Sequence, residues 1–254
     1  MNLKNFVLLI SLFLCFSFSS HEKKLDAGSA SSTVKIVFKN KVQGSAIVLI
    51  DSLYTNPFNE KYSITKLRYY VTNICLYGTI NNFIEKNSYH LIDESKEESQ
   101  SLTITLPAGG YSSLHFLLGV DSLHNVSGAQ TDDLDPTKDM FWTWNSGYVM
   151  AKMEGNSPAS TLVNNKYEFH IGGYAGPSNV VKKIQLNLND KIPVEFAEGK
   201  TTEIIINADI NTWWQNPNDI RIAEHAIITS PGKNALAISD NYAKMFSIEK
   251  IIAE

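Results

Sequence analysis

What most constrains this chain is how its apolar residues are cut into short runs. Val34-Lys35-Ile36-Val37-Phe38-Lys39 and Ala46-Ile47-Val48-Leu49-Ile50 are β-branched stretches separated by Asn40 to Gly44. Similar runs follow at Ser63 to Leu67, Arg68 to Tyr77, Tyr89 to Ile92, Leu102 to Leu106 and Ser113 to Val120. The last group is Gly147 to Glu154, Tyr167 to Ile171, Val180 to Leu188, Ile192 to Phe196 and Thr202 to Ala208. Gly, Pro, Asn or Asp clusters punctuate nearly all of them, the pattern of strands joined by turns. No stretch holds a 3.6-residue apolar period for long, and only Asn211 to Trp214 and Asn241 to Phe246 suit single helical turns. The expectation is an all-β chain, an antiparallel β-sandwich with long loops and one or two short helical turns. The polar insertion Asp93-Glu94-Ser95-Lys96-Glu97-Glu98-Ser99 reads as a hairpin tip or loop, since strand texture resumes at once. Residues 34–254 are therefore taken as a single domain.

Composition removes several alternatives. At 43% hydrophobic and 11% aromatic residues, the 254-residue chain is too apolar to stay disordered. Its 2 cysteines cannot build a disulfide framework or a multi-cysteine zinc site. With 22 basic and 26 acidic residues, the net charge of −4 supplies no basic field for nucleic acid. Lys4 is the only charge before the apolar run Phe6 to Phe18, and Ser17 and Ser19 suit the −3 and −1 positions of a cut after Ser19. Residues 1–20 thus read as a secretory signal peptide. An uncleaved anchor would need a longer apolar run. A lipoprotein cysteine at Cys15 would need a small residue where the bulky Leu14 stands. Export to the periplasm or cell surface follows, with no membrane span after signal removal. Residues 21–33 mix charges with Ala, Gly and Ser and read as a flexible leader. Cys75 is then alone and is expected to be buried in its strand.

The chemically dense region is 107–177. It holds Pro107-Ala108-Gly109-Gly110-Tyr111, Leu118-Gly119-Val120-Asp121-Ser122, Met140-Phe141-Trp142-Thr143-Trp144-Asn145-Ser146-Gly147-Tyr148 and Phe169-His170-Ile171-Gly172-Gly173-Tyr174. Trp142 and Trp144, two apart on a strand, would point the same way; they read either as core aromatics or as a stacking surface. His170, at a strand end before two glycines, is placed to offer a neutral imidazole to a metal. His124 lies in the loop entering this region and is the next candidate, while His115 alternates with apolar residues and His21 and His90 read as solvated. No His-x-His or His-Glu-x-x-His spacing occurs. Asp132, Asp133, Asp135 and Asp139 read as a solvated acidic turn, their spacing not being that of a calcium loop. Gly172-Gly173 and Gly109-Gly110 are expected to permit positive φ or close backbone approach. Cysteine nucleophiles, Gly-x-Ser-x-Gly elbows, phosphate loops and paired glutamates are absent from the sequence, so no catalytic residue is assigned and no enzyme is expected.

Leu67-Arg68-Tyr69-Tyr70-Val71-Thr72-Asn73-Ile74, the Gly119-Val120-Asp121 turn, the Trp-x-Trp-x-x-Gly-Tyr string from Trp142 and His170-Ile171-Gly172-Gly173 together resemble the MbnP-like family. The resemblance runs from about Val34 to the Asn241–Phe246 segment. It implies a secreted, β-rich protein of the periplasm that binds copper through histidine imidazoles, with one tryptophan oxidised to kynurenine. It also implies a partner that performs the oxidation, a di-haem protein of the cytochrome c peroxidase type (MbnH-like). Carried onto this chain, His170 is the first ligand, His124 the candidate second ligand, and Trp142 or Trp144 the oxidised residue. No histidine stands beside the Trp-x-Trp string, where Asn145 and Ser146 are found. The alternative is a non-catalytic β-sandwich module that grips a glycan or protein on exposed aromatics, with Trp142, Trp144, Trp213 and Trp214 as its surface.

Overall fold

The structure is a computed structural model that describes residues 30–80, 82–142 and 147–253. The signal segment, residues 21–29 of the leader, and Trp144 lie outside the described residues. In chain order the strands are β1 (Ser31–Val42), β2 (Ser45–Ala46), β3 (Tyr54–Thr55), β4 (Lys61–Gly78), β5 (Asn82–Ile84), β6 (Tyr89–Asp93), β7 (Ser101–Pro107) and β8 (Gly109–Leu118). They continue as β9 (Phe141–Trp142), β10 (Gly147–Asn156), β11 (Lys166–Gly172), β12 (Lys182–Asn187), β13 (Val194–Phe196), β14 (Thr201–Asp209), β15 (Ile227–Ile228) and β16 (Phe246–Ala253). The α-helices are α1 (Ser122–Val126) and α2 (Lys233–Tyr242).

The strands form the all-β sandwich expected. One sheet runs β16-β14-β1, with β7 and β2 on β1. The larger runs β12-β8-β4-β10-β11-β15; β3, β5 and β6 also pair with β4, β13 with β8, and β9 with β10. Pairing is mostly antiparallel, but β1 with β14 and β11 with β15 are parallel, because those partners are distant in sequence and joined by long connections.

Several boundaries differ from the sequence reading. The last three leader residues, Ser31 to Thr33, already belong to β1, where they pair with β7. The runs Ser63–Leu67 and Arg68–Tyr77 are one 18-residue strand, β4, kept continuous through a register shift beside Asn73 at φ 53°. Only Ala46 of the Ala46–Ile50 run is strand; Ile50, at φ 71°, turns out to solvent. The Asp93–Ser99 insertion is no hairpin tip: it carries the chain from β6 in the larger sheet to β7 in the smaller one. The 3-10 turn Ile210–Trp213 falls where expected, whereas the second helical element is the ten-residue α2, and Phe246 opens a strand.

Between the sheets, alternation in β1 buries Val34, Ile36 and Phe38. Phe38, Tyr69, Phe116 and Phe246 pack edge to face, with Phe38–Phe116 and Phe116–Phe246 ring centroids 5.9 and 5.1 Å apart. A second aromatic knot joins Tyr62, Tyr167, Phe169 and Trp214, whose Nε1 donates to Tyr62 Oη at 3.1 Å. Trp213 packs on Tyr242. Trp213 and Trp214, offered above as stacking surface, are both 0% exposed and belong to the core. Cys75 is half-buried rather than buried, and burial pushes its thiol up.

One polar chain crosses the core. Tyr69 Oη donates to Asn40 Oδ1 at 2.8 Å, and Asn40 Nδ2 donates to Glu94 Oε2 at 2.7 Å. Burial pushes the Glu94 carboxyl from 4.5 up to about 6, with Asp93 adding to it and the Asn40 bond opposing it. A carboxyl raised in the folded state contributes stability below its unfolded value, and that contribution is lost as pH rises through the folded value. Glu94→Gln keeps an acceptor for Asn40 without the charge. The variant should match wild type near pH 4 and gain on it in denaturant midpoint between about pH 4.5 and 6. A midpoint difference that is flat across that window would refute the assignment.

Candidate metal centre

Antiparallel partners share a sheet face, so the register of β4, β10 and β11 determines which residues meet outside the core. Arg68, Lys152 and His170 form one cross-strand row. Lys66 and Glu154 form the next. Tyr70 and Thr72 continue the same face of β4, while Leu67, Tyr69 and Val71 point into the core. This outer face is not open to water along its length, because the segment from Gly119 to Trp142 lies across it. Two buried phenols tie that segment down: Tyr70 Oη donates to Asp133 O at 2.9 Å, and Tyr148 Oη to Leu134 O at 2.6 Å. Asn125 completes the attachment, accepting from Tyr148 N at 2.8 Å and donating to Val120 O at 2.6 Å.

The acidic turn is therefore structural rather than merely solvated. Asp133 accepts from Leu91 N and pairs with Lys138 at 2.6 Å. Asp135 caps the short 3-10 turn Pro136–Lys138 through Thr137 N. Asp139 meets Lys66 at 2.9 Å, Lys152 at 3.0 Å and Arg68 at 3.8 Å. Burial would raise the Asp139 carboxyl, but its bonds from Lys66 and Lys152 outweigh that and hold it below the usual range. Lys152 is only 2% exposed, and desolvation lowers its ammonium despite the help of Asp139.

His170 Nε2 lies 2.8 Å from Glu154 Oε1. That bond, with Lys66 3.3 Å away assisting against burial, brings the Glu154 carboxyl down to about 2. Nδ1 of His170 has no hydrogen bond among the described residues. Trp142, 7% exposed, pairs with Gly147 across the β9–β10 ribbon. Its ring lies against Gly172, where a Cβ would collide with the indole; the next residue, Gly173, at φ 127°, lies against Ser178 O. Gly172 and His170 are two apart on β11, so the Trp142 indole covers the face that carries His170.

His124 is elsewhere. Its Nδ1 meets Tyr89 Oη at 2.6 Å and the Asp121 carboxylate at 3.0 and 3.1 Å. Tyr89 is opposite Thr72, whereas His170 belongs to the Arg68 row, four residues or roughly 13 Å away along β4 at strand rise. The two candidate ligands thus sit in separate clusters, and no three His, Cys, Asp or Glu residues converge as a metal group among the described residues. His115 packs on Tyr77 with a buried Nδ1 that has no hydrogen-bond partner among the described residues, and His90 pairs with Glu85. Sequence reading missed Glu154 and Tyr89 because both meet their histidines through tertiary contacts, Glu154 across the β10–β11 pairing and Tyr89 where β6 meets α1, not through local spacing.

A family model described as MbnP matches residues 31–233. Among solved structures, MbnP from Methylosinus trichosporium aligns with a TM-score of 0.50 at 14% identity, covering 88% of this chain and 99% of that one. At that identity the likeness concerns the fold. No curated protein sequence matches the chain.

The Lys152–Asp139 pair yields an ordered prediction. Removing one partner of an ion pair costs most when the remaining charge is buried. Asp139→Asn takes the carboxylate partner from the buried Lys152, leaving its bond to the carbonyl of residue 139, and should cost about 1–3 kcal/mol. Lys152→Met leaves the exposed Asp139 with Lys66 and Arg68 and should cost less. Urea unfolding of both variants checks the order, and the reverse ranking would contradict it.

Proposed function

The chain belongs to the MbnP family, and from that premise we propose that it is an exported copper-binding protein of the periplasm or cell surface, acting by binding rather than by catalysis. The observation that carries the reading is the shared face of β11. The Trp142 indole lies over Gly172, and two residues along that face His170 presents an imidazole steadied by Glu154. An imidazole held by a carboxylate at one nitrogen is oriented and made more basic for a metal at the other. Imidazole suits copper in either oxidation state. Among the described residues no helix is long and apolar enough to cross a membrane.

The residues fit copper in part. His170 supplies one nitrogen, and the remaining donors come from the Trp-x-Trp string. An intact indole is a poor ligand; opened to kynurenine, Trp142 or Trp144 would offer an aryl amine. In that conversion oxygen enters at C2 and C3, and hydrolysis releases C2 as formate. A di-haem partner of the cytochrome c peroxidase type (MbnH-like) supplies the oxidising equivalents. The reading through exposed aromatics loses ground, because Trp142, Trp213 and Trp214 are all buried.

The test compares protein purified from its native periplasm with the same chain made alone in a foreign host. Stoichiometric copper, with the mass and absorbance of kynurenine in the native sample only, is the expected result. Native protein with neither copper nor modified tryptophan would end the proposal. Glu154→Gln should weaken copper binding by about ten- to a hundredfold while the chain stays folded. Gly172→Ala, which displaces the Trp142 ring, should reduce both modification and copper content. Copper affinity unchanged in both variants would move the site away from this face.

A further inference from the structure

Away from the His170 row, three metal-ligating side chains from two segments converge. Tyr89 comes from β6, and Asp121 and His124 from the N-cap and first turn of α1. Tyr89 Oη is 2.5 Å from Asp121 Oδ2 and 2.6 Å from His124 Nδ1, and that nitrogen is 3.0 and 3.1 Å from the two carboxylate oxygens. The carboxylate is held in place independently: Oδ1 accepts from His124 N at 3.1 Å, and Oδ2 from Asn73 Nδ2 at 3.4 Å. Asn73 stands at the register shift of β4, with φ 53°. The His124 and Asp121 side chains are 31% and 23% exposed, so water and a hydrated ion have access.

We propose that Tyr89, Asp121 and His124 form a site for a borderline divalent first-row cation of the zinc type, distinct from the copper site and independent of that reading. The donor set is one imidazole nitrogen, one carboxylate and one phenol oxygen. The imidazole argues against calcium or magnesium, and the two anionic oxygen donors argue for a dication over the softer copper(I). Around a tetrahedral ion with bonds of about 2.0–2.1 Å, neighbouring donors sit about 3.3 Å apart. The triangle here, with edges of 2.5 to 3.1 Å, needs to open by about 0.3 Å between His124 and Asp121 and by about 0.7–0.8 Å on the two edges to Tyr89. Water completes the coordination on the exposed side.

Proton accounting is favourable. The metal-free cluster is held by the Tyr89 hydroxyl proton and a proton on His124 Nδ1. A cation at Nδ1 moves that proton to Nε2, which has no hydrogen bond to a described residue, so the imidazole changes tautomer without losing charge balance. Binding Tyr89 as phenolate releases one proton to solvent. Burial and Asp121 both raise the phenol, so the ion must supply that stabilisation. The Asp121 carboxylate is already ionised: burial pushes it up, but bonds from Tyr89 and His124 hold it below its usual range.

The experiment is calorimetric titration of the purified chain with Zn²⁺, paired with Co²⁺ absorption as a geometric readout and melting with and without Zn²⁺. Saturable one-site binding, proton release, tetrahedral Co²⁺ bands and a raised melting temperature are expected. His124→Gln and Asp121→Asn should each weaken binding by about tenfold or more. The asparagine keeps an acceptor for the α1 cap, so that helix is retained. His170→Ala should leave Zn²⁺ binding unchanged. No saturable binding by wild type, or binding that survives His124→Gln, would overturn the site. Loss of binding in His170→Ala with retention in His124→Gln would assign the ion to the other cluster, which also overturns it.

Discussion

The unbroken run of β4 from Lys61 to Gly78 governs the rest of the molecule, because almost everything in the larger sheet hangs on its two edges. β10 and β8 follow one another along one edge, and β6 and β5 pair where the other edge is free. Strand alternation then divides the strand's side chains between two environments. Tyr62, Ile64, Leu67 and Tyr69 enter the inter-sheet core, while Lys66, Arg68, Tyr70 and Thr72 build the outer face on which both histidine clusters rest. A one-residue slip would exchange these sets, placing two cations in the core and an aromatic row in water.

Covering the outer face changes its chemistry. With the Gly119–Trp142 segment anchored by Tyr70, Tyr148 and Asn125, the charges beneath it work in a medium less polar than water. Lys152 is shielded there yet kept next to Asp139, whose backbone carbonyl also accepts from its ammonium. The hydrogen-bonded cover therefore does more than close the fold. It strengthens the electrostatic contacts that position His170 and Glu154, and it holds the Trp142 indole against Gly172.

The same local device appears twice on this face. Glu154 holds one nitrogen of His170, and Asp121 holds one nitrogen of His124. In each case the carboxylate selects the orientation of an imidazole. Their surroundings differ: His170 faces a buried tryptophan and a row of cations, His124 a phenol and solvent. That contrast favours a site built with the Trp-x-Trp string in one place and an oxygen-rich site in the other.

The amino-acid pattern by itself determined the all-β character and the positions of most strands, and it singled out His170, His124 and the tryptophan string as candidates. These are local properties: β-branched runs, turn residues, and histidines beside glycines. It did not reveal that β4 runs unbroken from Leu67 into Arg68, since the irregularity just before them, opposite Glu154 and Gly155, is absorbed by the pairing with β10. Nor did it show α2, because the apolar residues of that helix are sparse and its buried face includes Ser239 and Asn241. Pairing Glu154 with His170 and Tyr89 with His124, separating the two histidines, and burying Trp213 and Trp214 were decided by tertiary structure alone. Each depends on which strands become neighbours and in what register, and register is a property of the assembled sheet rather than of any one segment.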